Sequence, residues 1–297
     1  MNHSFKGIFA PLTTPFIRDE ISVEKFKKNI QRYNRFDLSG YVILGSTGES
    51  VFLSDEESEK LVEAAKEVAS RGKKIIVGTA RESTKLTLDF TNRVACFKID
   101  AVLIRTPSYF KSRMTREALK KHYLILADKS KVPVIIYNIP QNTGISVESE
   151  LIVDLSSHPN IAGIKDSSGN LATMGEAMPH IPSSFCFLIG AGSILLAGLM
   201  LGASGAILTL ADVAPALVVK LYNLFLEGKI DEARKLQLDL IPLNKAIIQT
   251  LGIPAVKYAL DLLGYYGGSV RAPVLPLDEK GKREMTTILK KLGLLKK

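Results

Sequence analysis

Lys165 closes a short apolar run, Ile161, Ala162, Gly163 and Ile164, that reads as a buried strand stopping at the lysine. An ammonium at the end of a core strand is costly unless it is paired, reaches water along its stem or sheds its proton. A lysine that has lost its proton attacks carbonyl carbons and forms a Schiff base. Three further stretches carry groups that such chemistry needs. Gly45, Ser46, Thr47, Gly48 and Glu49 follow the apolar run 40–44. Glycines there let backbone N–H groups approach an anion, and the Ser46 and Thr47 hydroxyls add donors, so the turn can hold a carboxylate. Tyr137 ends the run 132–137 with a phenol that both donates and accepts, suited to moving a proton to and from a carbonyl or carbinolamine oxygen. Tyr109, after Arg105, Thr106, Pro107 and Ser108, can extend that relay. Taken singly, each feature has an ordinary reading: a snorkelling lysine, a tight turn, a core tyrosine, a packed loop. Their joint appearance at the ends of four apolar runs is what those readings leave unexplained.

The elements that must position these groups follow from the hydropathy pattern. Short apolar runs at 7–12, 40–44, 74–77, 101–104, 132–137, 161–164, 185–189 and 204–208 predict eight strands. Amphipathic segments at 23–36, 54–69, 84–95, 116–127, 147–155 and 170–178 predict helices between them, with Ser54 and Thr115 as N-caps. Strands alternating with helices indicate parallel βαβ units, and eight of them indicate a (β/α)8 barrel, whose chemistry sits at the C-terminal strand ends. An open doubly wound sheet is the other arrangement, but no Gly-x-Gly-x-x-Gly follows the first strand. Beyond 208 the pattern turns helical, at 214–226, 230–251, 253–263 and 279–292. The expected organisation is thus an α/β TIM barrel over 1–212 and a C-terminal helical extension over 213–297.

Composition narrows the function. The chain has 297 residues, 46% of them hydrophobic and 23% charged, an ordinary globular balance, and contains no apolar run of membrane-spanning length. Neither a secretory h-region nor an Arg-rich presequence is visible, and Cys96 and Cys186 sit apart in apolar contexts, as buried thiols of a cytoplasmic protein do. His3, His122, His158 and His180 have no metal-ligand spacing, so no metal is expected. The net charge of +9 is spread over helix faces and the C-terminal Lys290, Lys291, Lys296 and Lys297 without interleaved aromatics, which argues against nucleic acid and for at most a mild attraction of anionic substrates.

At the level of motifs, Gly45 to Glu49, Tyr137 to Pro140 and Gly163 to Asp166 resemble the signatures of the dihydrodipicolinate synthase / N-acetylneuraminate lyase family. The opening residues 7–16 resemble that family's first strand, and the similarity runs in register from about residue 6 to residue 275. The resemblance implies a (β/α)8 barrel with C-terminal helices, a homotetramer built as a dimer of dimers, and class I aldolase chemistry with no cofactor beyond the covalent Schiff base. It further implies that Lys165 condenses with pyruvate or a larger 2-oxo acid, and that Tyr137 transfers protons. Ser46 and Thr47 would bind the carboxylate, Tyr109 would enter the neighbouring subunit's site, and the backbone of Ile207 would lie near bound pyruvate.

Within the family, synthases that make dihydrodipicolinate usually carry an arginine where this chain has Asn142, and an amide supplies neither charge nor a bidentate fork. The stretches 140–144, 158–167, 235–237 with Pro242 and Asn244, 252–255 and 264–273 look instead like 4-hydroxy-2-oxoglutarate aldolase, in which the serine matching Ser167 lies near the distal carboxylate. Thr47 departs from that pattern, an amide standing there in the mammalian-type aldolase. The first expectation is therefore retro-aldol cleavage of a 4-hydroxy-2-oxo acid to pyruvate and an aldehyde such as glyoxylate. The others are condensation of pyruvate with aspartate semialdehyde, a sugar-acid aldolase, and a barrel that binds 2-oxo acids without turning them over.

Overall fold

The computed structural model describes residues 5–295 and shows a closed barrel of eight parallel strands with helices between them and further helices after the last strand. The strands are β1 (Gly7–Pro11), β2 (Gly40–Ile43), β3 (Lys74–Gly78), β4 (Ala101–Arg105), β5 (Val134–Asn138), β6 (Ile161–Asp166), β7 (Cys186–Ile189) and β8 (Gly205–Ile207), neighbouring one another in chain order around the ring. Almost every strand residue is buried, which is why these segments read as continuous Ile, Val and Leu runs rather than as alternating ones. The expected (β/α)8 architecture is present.

Main-chain contacts sort the chain into two units. The first joins the described residues up to Gly7 with Lys74–Ile207, and holds β3 to β8. Its helices are α3 (Thr84–Val94), α4 (Arg116–Lys129), the one-turn α5 (Pro140–Thr143), α6 (Ser149–Ser156), α7 (Leu171–Ala177) and α8 (Leu195–Met200). Thr115 caps α4 by accepting from the Ala118 N–H at 3.2 Å, as expected of it. The second unit joins Ile8–Lys73 with the described residues from Leu208 onward. It holds nearly all of β1, then β2, α1 (Val23–Tyr33), α2 (Asp55–Val68) and the helices α9 (Leu210–Val213), α10 (Pro215–Leu226), α11 (Ile230–Lys245), α12 (Gly252–Leu262) and α13 (Glu279–Lys291). Ser54 and Glu57 form a reciprocal capping box at the start of α2, at 3.2 and 2.9 Å.

The structure corrects several expectations. β6 does not stop at Lys165: Lys165 and Asp166 pair with Tyr137 and Asn138 on one side and with Leu188 and Ile189 on the other. The single helix expected over 230–251 is broken into α11 and a π-turn, Ala246–Thr250; Pro242 inside α11 withholds a backbone donor, and the ladder widens within the next turn. Cys96 is exposed rather than buried. The buried face of α3 runs through Thr87, Phe90, Thr91 and Val94 at helical spacing, and Cys96, two residues further on, falls off that face. Cys186 is buried and accepts the Phe5 N–H at 3.3 Å. His3, Lys296 and Lys297 lie outside the described residues. Among the described residues no helix is long and apolar enough to cross a membrane.

His122 on α4 is 6% exposed, and its Nδ1 lies 2.8 Å from the Thr84 hydroxyl of α3. Burial pushes its imidazole down to about 4, against a weaker upward pull from Glu82. An unfolded imidazole takes up a proton near pH 6.5 that the folded one refuses until about pH 4. Folding stability therefore falls as pH drops through that window, by about 3 kcal/mol from this one group. We expect His122→Asn to show a shallower decline of thermal midpoint between pH 7 and 4 than the parent protein, since the carboxylates are common to both. An equally steep decline would refute the contribution.

Candidate active site

In the first unit, Tyr137 on β5 and Lys165 on β6 are direct register partners. Each is 5% exposed, and the Lys165 ammonium lies 4.1 Å from the centre of the Tyr137 ring. That register is itself built. Val134 faces Ile161, but Ile135 faces Gly163, so Ala162 is an extra residue that advances β6 by one position. Without it Ile164 would stand opposite Tyr137. Gly163 follows the bulge because nothing larger fits: a Cβ there would lie 2.1 Å from the carbonyl oxygen of Cys186. Among the described residues no carboxylate pairs with Lys165. A buried amine beside a phenol can attack a carbonyl carbon while the phenol takes or returns the proton.

The next residue on each strand braces the pair. Asn138 donates from Nδ2 to Asp166 Oδ1 at 2.8 Å, and its own carbonyl-type Oδ1 accepts from the Val147 N–H at 3.1 Å. Asp166 also accepts from the Ser168 N–H and hydroxyl, at 3.0 and 2.9 Å. Burial raises the Asp166 carboxyl above its usual range, against the lowering effect of Ser168 and Asn138. Ser167 donates its N–H to the Asn138 carbonyl at 2.8 Å, and Gly190 leaves room for its hydroxyl: a Cβ at 190 would lie 2.1 Å from Ser167 Oγ. Asn142 lies exposed in α5, whose Gln141 donates to the Ser167 carbonyl at 2.8 Å. Ile207 ends β8 and is fully buried.

Tyr109 is not gathered with this pair. It is 79% exposed, edge-on to Phe110 with ring centres 5.1 Å apart. Its backbone, by contrast, is held: Glu82 accepts from the Ser108 and Tyr109 N–H groups at 2.8 and 2.9 Å, and pairs with Arg105 at 2.9 Å. Burial pushes the Glu82 carboxyl up, but those two N–H donors and the guanidinium outweigh it and hold the group below the ordinary glutamate range.

In the second unit, Ser46 and Thr47 lie in a turn bracketed by two left-handed residues that are not glycine, Leu44 at φ 62° and Glu49 at φ 56°. The turn is closed by Gly48 N–H to Gly45 O at 3.0 Å and Glu49 N–H to Ser46 O at 3.1 Å. The Thr14 hydroxyl donates to the Gly48 carbonyl at 2.7 Å, and the Thr47 and Thr209 hydroxyls are 2.9 Å apart.

The model of the dihydrodipicolinate synthetase family matches residues 4–292. The chain belongs to that family. A 4-hydroxy-tetrahydrodipicolinate synthase of Thermodesulfovibrio yellowstonii is 34% identical over 98% of this chain and all of its own length, and further relatives bear the same name. The crystal structure of dihydrodipicolinate synthase from Aquifex aeolicus superposes with a TM-score of 0.93 at 30% identity, over 99% of this chain and 100% of that one. A monomeric dihydrodipicolinate synthase variant superposes at 0.94 and 28% identity, each chain covered to 99%. The family consists of pyruvate-dependent class I enzymes that work through a lysine Schiff base without a metal cofactor.

Sequence reasoning missed the braces. Asn138 and Asp166 stand within the motifs that flag Tyr137 and Lys165, so adjacency was the available signal. Glu82 carried none, because the backbone groups it holds lie 26 and 27 residues away and its Arg105 partner is likewise non-local. If Glu82 holds the Tyr109 backbone, Glu82→Gln will raise amide exchange at Ser108 and Tyr109 by about tenfold, the equivalent of a charge-assisted hydrogen bond. Unchanged exchange would show that the loop is held by something else.

Proposed function

We propose that this enzyme holds pyruvate as a Schiff base on Lys165 and condenses it with a carboxylate-bearing aldehyde, aspartate semialdehyde, as a 4-hydroxy-tetrahydrodipicolinate synthase. The observation that carries the Schiff-base chemistry is the buried, in-register pair of Lys165 and Tyr137. The relatives' shared name favours condensation over the retro-aldol cleavage expected first. One observation supports that second reading, cleavage of 4-hydroxy-2-oxoglutarate to pyruvate and glyoxylate: Asn142 is neutral, and α5 carries no cationic side chain for a distal carboxylate.

In the proposed reaction the Lys165 amine adds to C2 of pyruvate, and Tyr137 carries a proton to the carbinolamine oxygen, which leaves as water. The resulting iminium draws electrons from C3, so that the C3 proton passes to the Tyr137 phenolate and gives an enamine. The enamine carbon attacks the aldehyde carbon, whose oxygen takes that proton, and the semialdehyde's own amine then displaces Lys165 from C2 as the ring closes. Ser46 and Thr47 take the pyruvate carboxylate, with the Ile207 backbone beside it, and Ser167 serves the second substrate. Tyr109, exposed in a single chain, serves a neighbouring copy in a homotetramer.

Intact-mass spectrometry after pyruvate and borohydride should show one reduced pyruvate adduct, lost in Lys165→Met. Tyr137→Phe should slow trapping by about 10²-fold or more, the usual scale of a lost proton-transfer group. No adduct on the parent protein would sink the Schiff-base reading. Consumption of aspartate semialdehyde, against release of glyoxylate from 4-hydroxy-2-oxoglutarate, decides between the two substrates. Full activity in a monomer by light scattering would remove Tyr109 from the mechanism.

A further inference from the structure

The buried lysine that the chemistry leaves unused is Lys257, on α12. Its ammonium lies 2.5 Å from Glu49 Oε1, and the two side chains are 1% and 3% exposed. The same ammonium donates to the Ser269 carbonyl at 2.6 Å and stands 4.4 Å from the centre of the Phe16 ring. Glu49 Oε2 accepts the Arg271 N–H at 3.0 Å. The Arg271 side chain continues outward to Glu57 of α2, both guanidinium nitrogens lying 2.7 Å from its carboxylate oxygens. Every one of these contacts lies within the second unit.

Burying two opposite charges gains little stability over a well-packed apolar pair, whereas removing one partner leaves a costly orphan charge. An expensive arrangement at this place needs a reason other than stability. Glu49 supplies one, because it is the last residue of the Gly45–Glu49 turn and adopts a left-handed backbone at φ 56°. Such a conformation costs a non-glycine residue roughly 1–2 kcal/mol and persists only where the surroundings enforce it. Leu44 is left-handed at the other end of the turn, and Gly48 between them has little space for a side chain, a Cβ there lying 3.0 Å from the Leu12 carbonyl.

We propose that Lys257 and Glu49 are positioning residues: their buried ion pair clamps the strained Gly45–Glu49 turn, so that Ser46, Thr47 and the turn's amides are set for a 2-oxo acid carboxylate before it arrives. The proposal rests on the reading that this turn binds pyruvate. Preorganised donors hold an anion without further ordering, so loosening the turn weakens binding more than it slows chemistry at saturation.

The test is the pyruvate dependence of borohydride trapping on Lys165 in four proteins: parent, Thr47→Val, Lys257→Met and the double variant Lys257→Met/Glu49→Gln. Thermal midpoints are recorded alongside. The double variant carries no orphan charge and should fold better than Lys257→Met. It should still need about tenfold more pyruvate for half-maximal trapping, the equivalent of roughly one misplaced hydrogen bond, with a limiting rate within about threefold of the parent. Parent-like half-saturation in the double variant, with Thr47→Val impaired, would overturn the clamp and leave the turn's role standing. An unimpaired Thr47→Val would overturn the turn's role and the clamp with it. If neither Lys257 variant folds, the pair supports the whole fold rather than the turn, and the clamp is likewise refuted.

Discussion

The pairing of β5 with β6 is the constraint on which the proposed chemistry depends. Side chains alternate across a strand, so a shift of one residue turns every group to the opposite face. The extra residue Ala162 sets that shift here, and it brings Lys165 rather than Ile164 opposite Tyr137. The bulge tolerates no side chain at Gly163, where the Cys186 carbonyl of β7 occupies the space. Three strands thus cooperate to fix one amine against one phenol. The hydrogen bonds of Asn138 and Asp166 then lock the residues immediately beyond them.

The two halves of the molecule handle charge in different ways. In the first, Lys165 is buried without a carboxylate partner, and the next residue, Asp166, is satisfied by an amide and by a serine's hydroxyl and N–H. In the second, a lysine of similar burial is fully paired. Identical residue types therefore sit in opposite electrostatic settings, distinguished by their partners. Removing the lysine at position 257 would leave Glu49 without its buried countercharge.

Much of the architecture was legible because parallel strands buried on both faces leave unbroken apolar runs, and all eight runs correspond to barrel strands. Lys165 and Tyr137 were legible because polar side chains at the ends of such runs are conspicuous. The bulge at Ala162 was not, since an inserted alanine in an apolar strand changes no pattern. The break after α11 was signalled by Pro242, but proline tolerates a helix interior often enough to mislead. Cys96 was misplaced because local apolarity does not say where a helical face ends. The union of Glu49 with Lys257 spans 208 positions, and no local periodicity reports it. Which aldehyde the enzyme takes was least legible, since Asn142 speaks for one substrate and the relatives' name for another.

The exposed α5 has a consequence for how new specificities arise. Asn142 stands on a single helical turn that is tied down by Gln141 and by the Thr143 hydroxyl, which donates to the Ile139 and Ile145 carbonyls. Its own side chain is free to vary without disturbing those ties or the buried amine one strand away. Mutation can therefore change the side chain on this turn while the pairing of Lys165 with Tyr137 is inherited intact. Such a barrel is evolvable because an exposed turn and a buried strand pair are mechanically separate.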